Sequence, residues 1–158
     1  CHRSLLLQKS GRMIVTIYTD ASTLHQQDSR SGIGVIVTMF GEVYKTVGMY
    51  VGKGLSNTEA ETLAILIGLK EARDIDKVDE LHLVRICSDC IPAIDLANGD
   101  AHLKESATNE VIQIVEKIDE LVFSMSCPVE YQWVRAHNGN EYNEMADELA
   151  YEHAHSID

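Results

Sequence analysis

GIGVIVTMFGEVYKTVGMYV, residues 32–51, decides the fold. Gly32–Phe40 is an apolar run rich in β-branched residues, and Val43–Val51 is a second one; both read as strands. Gly41-Glu42 between them makes a tight connection, and strands joined that closely pair antiparallel. Working back towards the N-terminus, Met13–Thr19 (MIVTIYT) is a third such run, ending at Asp20. Residues 13–51 therefore read as an antiparallel meander.

Beyond residue 51 the pattern changes. In Asn57–Ala72, Ala60, Leu63, Ala64 and Ile67 fall on one helical face. Ser56 is a good N-cap and Glu59 completes a capping box. Asp79–Ser88 reads as a fourth strand. Ser88 or Asp89 then caps a short helix in which Pro92 is tolerated, because the first turn needs no N–H partner; Asn98-Gly99 stops it. Ser106–Val122 reads as a helix with Val111, Ile114, Val115, Ile118 and Val122 on one face. Val129–Val134 is a fifth strand. Glu141–Ala154 is a helix with Met145, Ala146, Leu149 and Ala150 inward. The order β-β-β-α-β-α-α-β-α implies an α/β, three-layer domain: a five-stranded mixed sheet with helices on both faces.

The 158 residues, 45% hydrophobic, fit one domain with a sizeable core. No apolar run approaches the roughly 20 residues that cross a bilayer, so no membrane partner is expected. Residues 1–12 (CHRSLLLQKSGR) lack a signal-peptide pattern and read as a disordered or extraneous tail ahead of a domain spanning 13–155, with Met13 as a natural start. With no targeting signal, a cytoplasmic location is expected, and a monomer is favoured.

Four cysteines occur, at 1, 87, 90 and 127. Cys87 and Cys90 form a C-x-x-C, but no second pair stands at zinc spacing and no Gly or Pro lies between them; they read as ordinary buried thiols. Gly32-Ile33-Gly34 lacks the third glycine of a dinucleotide loop, and Gly52-Lys53-Gly54 lacks phosphate-loop spacing. His153 and His155 read as a frayed helix end. Ser22 has no histidine beside it, and nothing suggests an acyl-transfer triad.

The formal charge is −12 at pH 7. Arg3, Lys9 and Arg12 face no acids in the first twelve residues, which leaves −15 on the remainder. Such a balance opposes nucleic-acid binding, where Lys and Arg on phosphates supply most affinity.

Four of the 25 acids nonetheless stand at telling places. Asp20 ends the first strand, Glu61 lies one turn into the first long helix, Asp89 sits where the fourth strand becomes a helix, and Asp147 lies inside the last helix. If strands one and four are parallel neighbours, Asp20 and Asp89 lie side by side, and a helix crossing the sheet delivers Glu61 to them. Clustered carboxylates raise one another's pKa unless a cation is present. Mg²⁺ is the natural partner, and two ions about 4 Å apart can activate water and stabilise a leaving oxygen. Position alone is a weak signal, because most acids are solvated surface charges.

Local sequence strengthens it. IYTDAS around Asp20, SNTEAETLAILIGL around Glu61, ICSDC around Asp89 and QWVRAHNGNEYNEMADELA around His137 and Asp147 occur in order. In these blocks the chain resembles type 1 ribonuclease H over about Met13 to Ala154. The resemblance implies a ribonuclease H-like fold and an endonuclease that hydrolyses the RNA strand of RNA–DNA hybrids, leaving 5′-phosphate and 3′-hydroxyl ends. It implies two Mg²⁺ or Mn²⁺ ions per site, held by Asp20, Glu61, Asp89 and Asp147. His137 matches the family's loop histidine, which assists proton transfer or product departure; a histidine on a Gly-containing loop suits that task near neutral pH. Ser56 and Asn57 match positions that touch phosphate and the 2′-hydroxyl, and Ser22 is taken with them as a substrate contact. A helix N-terminus attracts phosphate in any case, and telling RNA from DNA requires the 2′-hydroxyl.

The sequence also departs from the family. Thr23–Ser31 replaces the Gly/Pro-rich loop common after the first block, and the segment after Asn98 lacks the Lys- and Trp-rich substrate handle of some members. The few cations expected near the site are Arg30, Lys45, Lys53, Lys104 and Arg135. Two rival readings stay open: a catalytically weak binding or interaction module of the same fold, and a nuclease domain derived from a reverse transcriptase.

Overall fold

The computed structural model describes residues 12–155; of the expected tail over 1–12, all but Arg12 lies outside them. Strands β1 (Ile14–Leu24), β2 (Arg30–Met39) and β3 (Glu42–Gly52) form the meander. Then come α1 (Asn57–Val78), β4 (Leu83–Ser88), α2 (Ile91–Ala97), α3 (Ala101–Ser106), α4 (Asn109–Ser124), β5 (Val129–Trp133) and α5 (Glu141–Ala154). The sheet order is β3-β2-β1-β4-β5. β1–β2 and β2–β3 are antiparallel, whereas β1–β4 and β4–β5 are parallel. The mixed sheet and its helical layers are those expected.

The layers follow from alternation along β1. Ile17 and Thr19 turn their methyls to Gly68 of α1, while Gly34, cross-strand from Asp20, lies under Ala146 of α5. Adjacent strand residues face opposite sides, so α1 and α5 cover opposite faces. The main core lies on the α1 side, where Val15, Ile17, Val35, Val37, Ile65, Leu69, Val84, Ile86 and Ile118 are buried together. α4 packs against α1 behind it.

The cap of α2 is Cys90, without a side-chain cap bond, rather than Ser88 or Asp89, because Ser88 Oγ accepts from Cys90 N–H instead of from the helix; five boundaries also differ from expectation, each for an identifiable reason. The hairpin turn is Phe40-Gly41, not Gly41-Glu42: Glu42 already pairs with Met39, and both turn residues have positive φ, 54° and 76°, the two-residue geometry whose twist suits a hairpin. β1 runs past Asp20 to Leu24, because the polar end of the strand continues its pairing with Arg30–Gly34. Asp20 is therefore mid-strand, beside the point where parallel pairing with β4 stops at Tyr18 and Cys87. α1 extends beyond Ala72 because Ile75 and Asp76 continue its buried face, and β4 is correspondingly shorter than Asp79–Ser88. The helix expected from Ser106 begins at Asn109: Ser106 closes α3 by donating to Leu103 O (3.2 Å), Ala107 is extended, and Thr108 caps α4 by accepting from Val111 N–H (3.3 Å).

Asp76 is the buried polar hub that makes the α1–β4 connection possible. Its carboxylate accepts from Leu81 N–H (2.9 Å), Ser126 N–H (3.0 Å) and Ser126 Oγ–H (2.6 Å). Burial pushes its pKa up, but the bonds from Ser126 and Leu81 outweigh this and leave it below the ordinary value. A depressed carboxyl stabilises the fold above its unfolded pKa and loses that contribution as pH falls through the folded one. Asp76→Asn should therefore destabilise by about 1–3 kcal/mol near neutral pH, measured by urea unfolding. The gap to the wild type should narrow below about pH 4; a gap independent of pH would show that the charge of Asp76 contributes nothing.

Candidate active site

The sheet topology brings the first three acids together. β1 and β4 run parallel and adjacent, so Asp20 on β1 and Asp89 just past Ser88 reach the same end of the sheet. Glu61 comes from α1, whose N-cap Ser56 accepts from Glu59 N–H (3.1 Å). Carboxylate oxygens of Asp20, Glu61 and Asp89 lie within 4.8 Å of one another. Asp20 is 3% exposed, and Glu61 and Asp89 are half-buried. Ala21 N–H donates to Asp20 Oδ1 (2.9 Å), whereas Glu61 Oε1 is shut from solvent without a hydrogen-bond partner.

The electrostatics follow from this crowding. Burial, then the charge of Asp89, pushes Asp20 up to about 8. Burial, then Asp20 and Asp89, holds Glu61 well above the ordinary carboxyl range. Burial, then Asp147, raises Asp89. Protons must therefore offset the repulsion wherever no cation does. An all-oxygen, mutually repelling donor set with an orphaned carboxylate oxygen suits a hard divalent cation.

The other expected residues surround this triad at different removes. Asp147, half-buried on α5, acts electrostatically on Asp20 and Asp89, but the close-packed set is Asp20, Glu61 and Asp89. His137 is exposed on the β5–α5 loop at φ 53°, and its charge lowers the pKa of Asp89. Ser22 lies two residues along β1 from Asp20, on the same face. Asn57 lies four residues before Glu61, one turn away on α1, and Ser56 is the cap itself.

Asp89 has supports that the sequence reading did not single out. Cys90 N–H donates to Ser88 Oγ (3.1 Å), Val134 N–H to Ser88 O (2.9 Å), and Trp133 Nε1–H to the Asp89 carbonyl (3.3 Å). Trp133 is the chain's single tryptophan and stands 48% exposed beside the cluster. The Trp-Val-Arg-Ala-His run was its only signal in the sequence. The thiols of Cys87 and Cys90 are free, and burial pushes each up to about 11, as inert buried cysteines require.

The cations expected nearby are largely neutralised. Lys45 pairs with Glu71 (2.8 Å), Lys53 with Asp28 (3.8 Å) and Lys104 with Asp119 (3.6 Å). Arg30 donates through Nε to Ala154 O (3.1 Å) and lies over the Tyr50 ring. Among the described residues no helix is long and apolar enough to cross a membrane.

The family model for RNase H matches residues 12–155. No curated protein matches the chain in sequence. Solved structures do match in fold. The N-terminal RNase H domain of a Mycobacterium tuberculosis protein, solved as a fusion with maltose-binding protein, has a TM-score of 0.73 at 17% identity, covering 90% of this chain and 94% of that one. LC11-RNase H1, isolated from compost by a metagenomic approach and solved in complex with an RNA/DNA hybrid, has a TM-score of 0.71 at 21% identity, covering 87% and 94%. The prototype foamy virus protease–reverse transcriptase has a TM-score of 0.73 at 18% identity, covering 91% of this chain but 21% of that one.

The raised carboxyls make a stability prediction. The folded chain retains protons between about pH 4, where a free carboxyl ionises, and about 8, where Asp20 does. The unfolded chain has lost them, so stability falls as pH rises through that window. The melting temperature of metal-free protein should drop by several degrees from about pH 5 to about pH 8. Asp20→Asn should flatten much of that slope, and Mg²⁺ or Mn²⁺ should restore the wild type at the upper pH only. The same slope in wild type and Asp20→Asn would contradict the electrostatic account.

Proposed function

The chain belongs to the RNase H family, and from that membership we propose that it is a metal-dependent endonuclease hydrolysing the RNA strand of RNA–DNA hybrids, leaving 5′-phosphate and 3′-hydroxyl ends. The observation that carries this reading is the convergence of Asp20, Glu61 and Asp89 within 4.8 Å, with the charge of Asp147 bearing on two of them. A solved neighbour of the same fold holds an RNA/DNA hybrid, which supports that ligand class here.

Asp20, Glu61, Asp89 and Asp147 would hold two Mg²⁺ or Mn²⁺ ions. When bound, such ions neutralise the cluster, lower the pKa of water and stabilise the leaving oxygen of a phosphodiester. The protein's own groups supply the rest. The N-terminus of α1, with Ser56 and Asn57, attracts a phosphate through its dipole and free N–H groups. Hydroxyl and amide groups there and at Ser22 can contact the 2′-hydroxyl that marks the RNA strand. His137, exposed on its loop, moves a proton at a ring nitrogen between the scissile region and solvent. Trp133 and Ser88 hold the backbone around Asp89, so that its carboxylate keeps its place as substrate arrives.

One observation favours the second reading, a weak binding module. Lys45, Lys53 and Lys104 are already paired with acids of the chain itself, so little positive charge is left for a polyanion. A labelled RNA–DNA hybrid separates the two. Cleavage should appear with Mg²⁺ or Mn²⁺, vanish with chelator, and give 5′-phosphate ends by end-labelling. Asp20→Asn should lower turnover by more than roughly 100-fold, the upper scale for disturbing even the outer surroundings of a metal, with folding intact by circular dichroism. Equal turnover in Asp20→Asn would remove this carboxylate from the chemistry. Hybrid binding without metal-dependent cutting would favour the module.

A further inference from the structure

The close-packed triad is built by strand pairing and by α1, but Asp147 arrives on α5, from the other face of the sheet. Its distance from Asp20 is therefore set by how closely α5 lies on β2. Three glycines line the seat of α5: Gly32 and Gly34 on β2, and Gly48, cross-strand from Gly34 on β3. A Cβ built on Gly34 would overlap the Ala146 carbonyl oxygen and come 3.0 Å from Ala150 N, both helix backbone. One on Gly32 would overlap backbone of Ala150 and Ala154, further along the helix. At Gly48 the obstacles are side chains, the His153 ring and Leu149 Cγ at 2.9 Å, which can swing aside.

Gly34 differs from the other two in its position. It is the direct cross-strand partner of Asp20, and the helix residue it admits, Ala146, immediately precedes Asp147. The helix is also tied down on either side. Tyr142 Oη–H donates to Gly41 O (2.5 Å) and its ring lies 5.5 Å from that of Tyr18; at the far end Arg30 Nε–H donates to Ala154 O (3.1 Å). Between these ties Gly34 lies directly beneath the helix turn that carries Asp147, with the Ala146 carbonyl and Ala150 N above it.

We infer that Gly34 is a positioning residue for the carboxylate cluster: having no side chain, it seats α5 at the height that turns Asp147 towards Asp20 and Asp89. The role rests on the nuclease reading for its consequence in turnover, but not for its consequence in metal binding. A Cβ there lifts the helix by on the order of 1 Å, a misplacement that can cost about 100-fold in rate.

The test compares Gly34→Ala with Gly32→Ala, which wedges the same helix one to two turns past Asp147, at Ala150 and Ala154, and with Ala150→Ser, a milder change at the residue that lies against both glycines. Melting temperature, kcat and KM on a hybrid, and Mn²⁺ affinity by calorimetry are measured below the melting point of every variant. Gly34→Ala should lose about 100-fold in kcat with little change in KM, and bind Mn²⁺ roughly 10-fold more weakly. Gly32→Ala, with a similar loss of melting temperature, should keep kcat and Mn²⁺ affinity near wild type. Ala150→Ser should move both in the direction of Gly34→Ala, by less, and decides the matter if Gly34→Ala does not fold. Parallel losses of activity in the two glycine variants would overturn the inference, as would unchanged Mn²⁺ affinity in both Gly34→Ala and Ala150→Ser. Wild-type protein that binds Mn²⁺ yet cuts no hybrid would sink the nuclease reading while the affinity comparison still decides the role of Gly34.

Discussion

Repulsion among carboxylates in a place partly closed to water is the constraint around which this molecule is arranged. Asp20, Glu61 and Asp89 would separate if their backbones were free to move, since burial and mutual charge both disfavour their ionised forms. What prevents separation is the centre of the sheet. Asp20 and Asp89 continue two parallel, hydrogen-bonded strands, and Glu61 rides on a long helix whose face is packed against Ile17, Thr19 and Ile86. The apolar core on the α1 side thus does electrostatic duty: it supplies the free energy that keeps like charges together. Such a site weakens the fold that carries it, which is the usual condition of a functional cluster.

The sequence carried the fold well because the strands are β-branched runs and, among the described residues, every helix but α2 has a side-chain N-cap. It carried the cluster less through geometry than through the blocks around Asp20, Glu61, Asp89 and Asp147; by position alone those acids were four among many. Missed details have identifiable causes. Phe40 takes a left-handed turn conformation that an aromatic residue rarely adopts, so the sequence pattern points to a turn one residue later. The end of α1 is set by Asp76 accepting bonds from Leu81 and from Ser126, 50 residues away, a tertiary fact that helical periodicity does not contain. The break between α3 and α4 lies in a choice between Ser106 and Thr108 as cap, both good cap residues. The support of Asp89 by Trp133 depends on β4 and β5 being neighbours, again invisible locally.

The charge of the chain gains a clearer meaning in three dimensions. An excess of acid could have left a few lysines as an isolated basic stripe. Instead Lys45, Lys53 and Lys104 are spent on Glu71, Asp28 and Asp119, and Arg85 on Glu130 (2.6 Å). Arg135, exposed two residues before His137, is the cation whose place in the chain sets it nearest the loop histidine. Surface pairs of this kind contribute little stability, so their larger consequence is to flatten the positive potential a hybrid would meet. On the proposed function, attraction of substrate would then fall to the α1 N-terminus and to whatever cations the carboxylates hold, and metal loading would be a condition of binding as well as of chemistry.

The fourth carboxylate comes from a separate layer. Residues on β1, β4 and α1 are locked together by pairing and core packing, and their mutual spacing has little room to adjust. Asp147 reaches them from α5, which is seated on the sheet over Gly32 and Gly34. Its position relative to the other three is set by how the helix backbone lies on the strand backbone rather than by strand pairing. The absence of side chains at Gly32 and Gly34 is therefore a structural element in its own right, and the sequence shows it as nothing more than G-x-G inside a strand.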